Sequence, residues 1–203
     1  MILFLMKGLA KLLMTKNKGH LFLVSGPSGV GKGTICRELL KQDKQLYFSV
    51  SATTRKPRNE DVEGQTYYFK TKEQFEEMIE KKEFLEWAEY SGNYYGTPKT
   101  PVLDMLKEGM DVLLEIDVKG ALSVMQNFEE GIYIFIAPPD EDTLINRLKN
   151  RGTESVEDIE KRLSAAKEEL KFKDKYDYIV INDVLETAVS EVKEIILKER
   201  NNI

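Results

Sequence analysis

Residues 20–40 read HLFLVSGPSGVGKGTICRELL, an apolar run, a glycine-rich turn and an amphipathic continuation. The run ends in glycine as a buried strand does, and Ile35, Leu39 and Leu40 recur at helical spacing, so the segment predicts strand, loop and helix. The loop fits the phosphate-binding pattern GxxxxGK[ST] as far as Lys32, then places Gly33 where a metal-binding hydroxyl is expected. The hydroxyl follows one residue late, at Thr34. A turn of this kind aims successive backbone N–H groups at phosphate oxygens. The helix N-terminus adds partial positive charge, and the lysine a full one. Gly26, Pro27, Ser28, Gly29, Val30, Gly31, Lys32, Gly33 and Thr34 are therefore candidates to hold a nucleotide's phosphates.

Outward from this stretch, DVLLEID (residues 111–117), IYIFIA (132–137) and DYIVIN (177–182) are nearly continuous in apolar residues. Strands covered on both faces read this way, which predicts a parallel central sheet. Helical patterns over 100–108, 120–128, 140–175 and 185–200 alternate with the strands, the signature of an α/β fold. Residues 51–99 break the alternation. They are rich in aromatics, carry a helix at 72–82, and read as an insertion with its own small sheet. Residues 138–165, opened by PPDED and heavily charged, read as a second, helical insertion beside the site.

At 203 residues with 41% apolar side chains, the chain suits one globular core carrying insertions. A formal net charge of −5 excludes binding to nucleic acid through bulk positive charge, so its basic residues matter by position. The single cysteine, Cys36, has no partner for a disulfide or a metal pair, and this fits a reducing cytoplasmic setting. The opening MILFLMKGLAKLLM is interrupted by Lys7 and Lys11 and falls short of the about 20 apolar residues a membrane span takes. Residues 1–17 are read as a disordered or loosely helical extension, with no stable membrane association.

Four further clusters carry chemistry. In SATTRKPRNEDVEGQTYYF, Arg55 and Arg58 flank Pro57 in an extended segment, so two guanidinium groups can converge on one phosphate, with Tyr67 offering a hydroxyl. In FLEWAEYSGNYYGTP, Glu86 sits between Leu85 and Trp87, and a carboxylate in such a setting needs partners. A purine with N1–H and an exocyclic N2 amine would supply two. Tyr95, Gly96 and Thr97 follow where the chain could lie close to a ligand. In LLEID, Glu115 and Asp117 are expected to project from one face at a strand's carboxyl end, near a nucleotide's Mg²⁺. Finally, Arg147 and Arg151 share a helix face and Arg162 lies on the next helical segment, placed to meet a transferring phosphoryl group. Each cluster alone would pass for surface charge; the phosphate loop gives them weight.

In this order, GPSGVGKGT, SVSATTRKPR, EGQTYYF, EFLEWAEYSGNYYGTP, LLEIDVKGA, FIAPP, RLKNRGTES, KRLSAAKEEL and IVIND span the chain from about His20 onward. The series resembles the guanylate kinases, the ATP:GMP phosphotransferases of the nucleoside monophosphate kinase group. The resemblance implies a three-layer P-loop fold with a core at 18–50, 100–137 and 166–203. It also implies a GMP-binding region at 51–99 and a lid at 138–165. It implies Ser51 and Glu86 at guanine and Arg55, Arg58, Tyr67 and Tyr95 at the GMP phosphate. Thr97 and Asp117 would support GMP, with Glu115 and Asp117 near metal and ribose, and Asn182 would lie near adenine. Lys32, Arg58, Arg147, Arg151 and Arg162 would neutralise charge during transfer from ATP to GMP or dGMP. Mg²⁺ is the implied cofactor. Position 33 departs from the commoner serine, but Lys-Gly-Thr also occurs elsewhere in the group, so Thr34 is the expected metal-side hydroxyl. Rival readings are a noncatalytic phosphopeptide-binding module and a kinase for another acceptor.

Overall fold

The computed structural model describes residues 18–90, 92–149 and 156–201; the readings made for residues 1–17 and for Arg151 lie outside them. Five strands form a parallel sheet in the order β2 (Leu46–Phe48), β7 (Asp111–Glu115), β1 (Leu21–Ser25), β8 (Ile132–Ala137) and β9 (Tyr178–Ile181). The alternation of side chains along each strand splits the core in two. Phe22, Val24, Leu113, Ile134 and Val180 face α1 (Lys32–Gln42) and α7 (Leu185–Asn201), where Ile35, Leu39, Val189 and Val192 meet them. Leu21, Leu23, Val112, Leu114 and Phe135 face α3 (Lys99–Lys107) and α4 (Val118–Asn127), where Val102, Leu106 and Val124 meet them. Both faces are covered, as a parallel sheet requires, and each fully buried side chain of this size contributes about 1.5–3 kcal/mol.

The break in alternation over 51–99 is a separate sheet in the order β4 (Tyr68–Phe69), β3 (Ala52–Thr53), β6 (Asn93–Pro98) and β5 (Phe84–Tyr90). β5 and β6 form an antiparallel hairpin. Helix α2 (Lys72–Glu80) starts at a capping box in which Thr71 and Gln74 satisfy each other's backbone N–H groups, and its buried Phe75 stacks on Phe84 and Tyr94.

Three expectations shift. The strand β2 was not foreseen, because three residues at a sheet edge carry no measurable period. The charged stretch 140–175 is two helices, α5 (Glu141–Lys149) and α6 (Val156–Leu170), followed by a 3₁₀ turn at Lys173–Lys175. Because α6 runs on to Leu170, the boundary read at 165 falls inside a continuous helix. Glu115 and Asp117 do not share a strand face: β7 ends at Glu115, and Asp117 is the N-cap of α4, its carboxylate accepting the Gly120 N–H at 2.7 Å.

At the end of the main sheet away from the phosphate loop, Arg200 of α7 donates from Nε to Asp111 and from Nη1 to Asp43 Oδ2 at 2.6 Å. Asp111 also accepts the His20 backbone N–H at 2.7 Å and its side chain is 7% exposed. The cluster ties α7 and the end of α1 to the starts of β1 and β7. Arg200→Ala would leave a buried carboxylate without its cation, and we expect chemical denaturation to read a loss of about 3 kcal/mol.

Candidate active site

The phosphate loop leaves the carboxyl end of β1, the central strand, whose neighbours β7 and β8 lie on opposite sides. This is a crevice of the kind in which open α/β sheets bind ligands. Gly31, the N-cap of α1, is left-handed at φ 98°, and a Cβ there would stand 2.5 Å from the Asn182 side-chain nitrogen. Only glycine allows both the turn and that approach. Asn182 is buried and its Nδ2 donates to the Val30 carbonyl at 2.8 Å, so a residue expected beside adenine also clamps the loop from the end of β9. Lys32 Nζ donates back to the Gly26 and Pro27 carbonyls at 2.6 and 3.1 Å. Burial lowers its pKa, with Glu115 the main opposing charge.

Gly33 gains meaning from its surroundings. A Cβ at this position would lie 3.3 Å from both oxygens of Glu115, so the space a serine would enter opens directly onto that carboxylate. Burial raises the Glu115 pKa and the charge of Lys32 opposes the rise. Thr34 Oγ1 accepts from Arg37 Nη2 at 3.3 Å.

Beside the loop, the small sheet and the end of β7 enclose a cavity of about 230 Å³. Ser51, Tyr67, Glu86, Tyr95, Glu115 and Asp117, six of the residues expected at the acceptor, line it together. A wider cleft of about 580 Å³ shares Ser51, Tyr67 and Glu115 with it and extends to Gly33 and Arg37 on α1. The floor of the cavity is Glu86, 8% exposed, whose Oε1 accepts the hydroxyl of fully buried Thr97 at 2.6 Å. Burial pushes the Glu86 carboxyl up to about 7, against the bond from Thr97. The Tyr67 and Tyr95 rings meet edge to face at 6.0 Å, and burial raises the Tyr67 pKa.

Of the expected arginines, Arg55 lies over the Tyr67 ring, 5.3 Å from its centroid, and is held by a two-point bond to Asp61 at 2.8 and 3.2 Å. Asp61 also accepts the Arg58 N–H at 2.6 Å, while the Arg58 side chain is exposed. Arg147 reaches over from α5 to donate to the Asn182 and Asp183 carbonyls at 2.8 and 3.2 Å. Arg162 lies half-buried on α6.

Three site residues escaped sequence reasoning. Asp61 looked like one more charge in a polar turn, although its spacing from Arg55 and Arg58 was a usable signal. Arg37 is one turn into α1 with no motif around it. Glu169, on α6, is drawn to the site by tertiary packing alone: burial raises its pKa and Lys32 is its foremost opposing charge.

The family model described as guanylate kinase matches residues 18–199. A guanylate kinase of Caldanaerobacter subterraneus subsp. tengcongensis is 53% identical over 185 residues, covering 91% of this chain and 90% of its own length. One from Halalkalibacterium halodurans is 53% identical over 186 residues, covering 92% and 91%. The crystal structure of guanylate kinase from Anaplasma phagocytophilum superposes with a TM-score of 0.74 at 32% identity, covering 92% of this chain and 88% of that one. The likeness runs from the phosphate loop through the small sheet to α7 at an identity that chance convergence on a fold does not reach, and the chain belongs to the guanylate kinase family.

Proposed function

We propose that the chain transfers the γ-phosphoryl group of MgATP to GMP, and to dGMP, giving ADP and the nucleoside diphosphate, in cytoplasmic purine nucleotide metabolism and GMP recycling. The observation that carries the acceptor is the buried Glu86 carboxylate, oriented by Thr97 on the floor of a cavity that adjoins the phosphate loop. Guanine offers it N1–H and the N2 amine, with Ser51 alongside; adenine has an acceptor at N1 and no N2 amine.

Lys32 and the loop N–H groups hold the donor phosphates, the lysine exchanging its bonds to the Gly26 and Pro27 carbonyls for phosphate oxygens. Arg55, Arg58, Tyr67 and Tyr95 hold the acceptor phosphate. That phosphate is already ionised, so no protein base or nucleophile is required. The task is to bring two anions into line without water, and Arg147, Arg151 and Arg162 would close on the transferring group. Glu115, Asp117 and Thr34 suit Mg²⁺, a hard cation that takes oxygen ligands. The fit rests on the bare Cα of Gly33, which leaves open the space in front of the Glu115 oxygens. Among the described residues no group of three acidic, histidine or cysteine side chains forms a cage, in keeping with an ion held chiefly by phosphates and water. When bound, Mg²⁺ neutralises charge on the phosphates being separated. The phosphopeptide-module reading is not favoured, since the relatives named above are kinases and the loop keeps Lys32. Among the described residues no helix is long and apolar enough to cross a membrane.

A coupled assay of ADP formation with GMP, dGMP, AMP, CMP and UMP in parallel tests the reading, and absent turnover with GMP would sink it. Glu86→Gln should narrow the preference for GMP over AMP by at least about tenfold, since each lost charge-assisted bond is worth about 1.5–3 kcal/mol. A pH series adds an independent check. Because Glu86 must be ionised to accept from guanine and its carboxyl titrates at about 7, the Michaelis constant for GMP should rise as pH falls below 7 and level off above it. The same raised value means that the unliganded fold pays nothing for this group below its ordinary 4.5 and bears the full cost of ionising it above 7. In Glu86→Gln the stability dependence should vanish, and the Michaelis constant should keep only the dependence that the GMP phosphate's own ionisation, at about pH 6, supplies.

A further inference from the structure

Gly120 occupies the first turn of α4, where its backbone N–H caps onto Asp117 Oδ1 at 2.7 Å. Its backbone angles are not those that favour glycine, since φ is not positive there. Within a helix, glycine is worse than alanine by roughly 1 kcal/mol, so the residue needs another reason. The surroundings supply it. A Cβ on Gly120 would lie 3.0 Å from Glu86 Oε2, 3.4 Å from its carboxyl carbon and 3.3 Å from Asp117 Oδ1. The helix therefore approaches β5 closely enough that the missing side chain is the room in which the Glu86 carboxylate lies.

We propose that Gly120 is a positioning residue for acceptor recognition: its bare Cα, opposite the Thr97 hydroxyl, sets the place of the Glu86 carboxylate in the acceptor cavity. The inference rests on the reading of Glu86 as the guanine contact. Thr97 fixes Oε1 from β6 at 2.6 Å, and Gly120 bounds Oε2 from α4. With one oxygen hydrogen-bonded to Thr97 and the other lying in the space a side chain at 120 would take, the carboxylate is set on both sides. A methyl group at position 120 would stand 3.0 Å from Oε2, tighter than most such contacts, so one partner must give by a few tenths of an ångström. The helix backbone is held by the packing of Val118, Ala121 and Val124, so the carboxylate end, the more flexible partner, gives way and turns out of the plane that meets N1–H and N2 together. Gly120 touches neither nucleotide and acts through Glu86.

The test is a double-mutant cycle on the full chain, with Gly120→Ala made in the parent and in Glu86→Ala, and with GMP, AMP and ATP kinetics and thermal melting read for each protein. In the parent, Gly120→Ala should raise the Michaelis constant for GMP about tenfold and narrow the GMP-to-AMP ratio of kcat/KM by a like factor, as misplacement of a recognition group does, while the constant for ATP stays within about twofold. In the Glu86→Ala background the same substitution should change none of these, because the carboxylate it displaces is gone. Unchanged GMP kinetics and selectivity in Gly120→Ala would overturn the proposal. So would an equal effect in both backgrounds, which would route it through Asp117 or the helix, or loss of cooperative melting, which would mean that the methyl is not absorbed by Glu86. Failure of the underlying reading looks different: the parent chain itself would then show no preference for GMP.

Discussion

Everything at this site depends on one backbone reversal, the turn from β1 into α1, which Lys32 holds from within through the Gly26 and Pro27 carbonyls and which the rest of the fold must also hold in shape. Other elements grip it from outside. Asn182 grips the Val30 carbonyl, and Arg147 reaches across to the carbonyls of Asn182 and Asp183, so the loop, the end of β9 and α5 form one connected unit. Gly31 makes the grip geometrically feasible, because any side chain there would displace the Asn182 amide. Since Arg147 stands on α5, the same bonds link the position of that helix to the shape of the phosphate loop.

A second theme is the handling of negative charge. The protein is net acidic and yet is built around polyphosphate chemistry. Glu86, Glu115 and Glu169 are all raised in pKa by burial, and for Glu115 and Glu169 the leading opposing charge is Lys32. Glu115 and Glu169 thus face the buried Lys32 ammonium, while Glu86 is held apart from it, and each carboxylate carries a cost of burial. Beside the cavity Asp61 plays the matching part for Arg55, holding the guanidinium over the Tyr67 ring. These are local arrangements that net charge does not report.

Much of this was legible in the sequence, for identifiable reasons. The strand–loop–helix unit and strands β7, β8 and β9 could be read because a sheet covered on both faces requires unbroken apolar runs. The candidates for the acceptor could be singled out because Glu86, the paired arginines and the tyrosines have chemistry that surface positions seldom need in combination, and the fold gathers Glu86, Tyr67 and Tyr95 at one cavity. Where the reading slipped, the deciding interaction lay outside the local pattern. Three residues of β2 take their place from pairing with β7, and Asp117 leaves the strand because a helix N-terminus claims its carboxylate.

What the sequence determined by itself, then, was the class of fold, the family and a set of candidate donor and acceptor groups, because periodicity and motif spacing are properties of neighbours along the chain. What only the tertiary structure decided was the fine placement of those groups: Asn182 against the phosphate loop, Asp61 against Arg55, Glu115 facing the space beside Gly33, and Glu86 held between Thr97 and the bare Cα of Gly120. Each of these joins segments from different elements at distances of a few ångströms, and the packing of two sheets and their helices sets those distances, not the order of the residues.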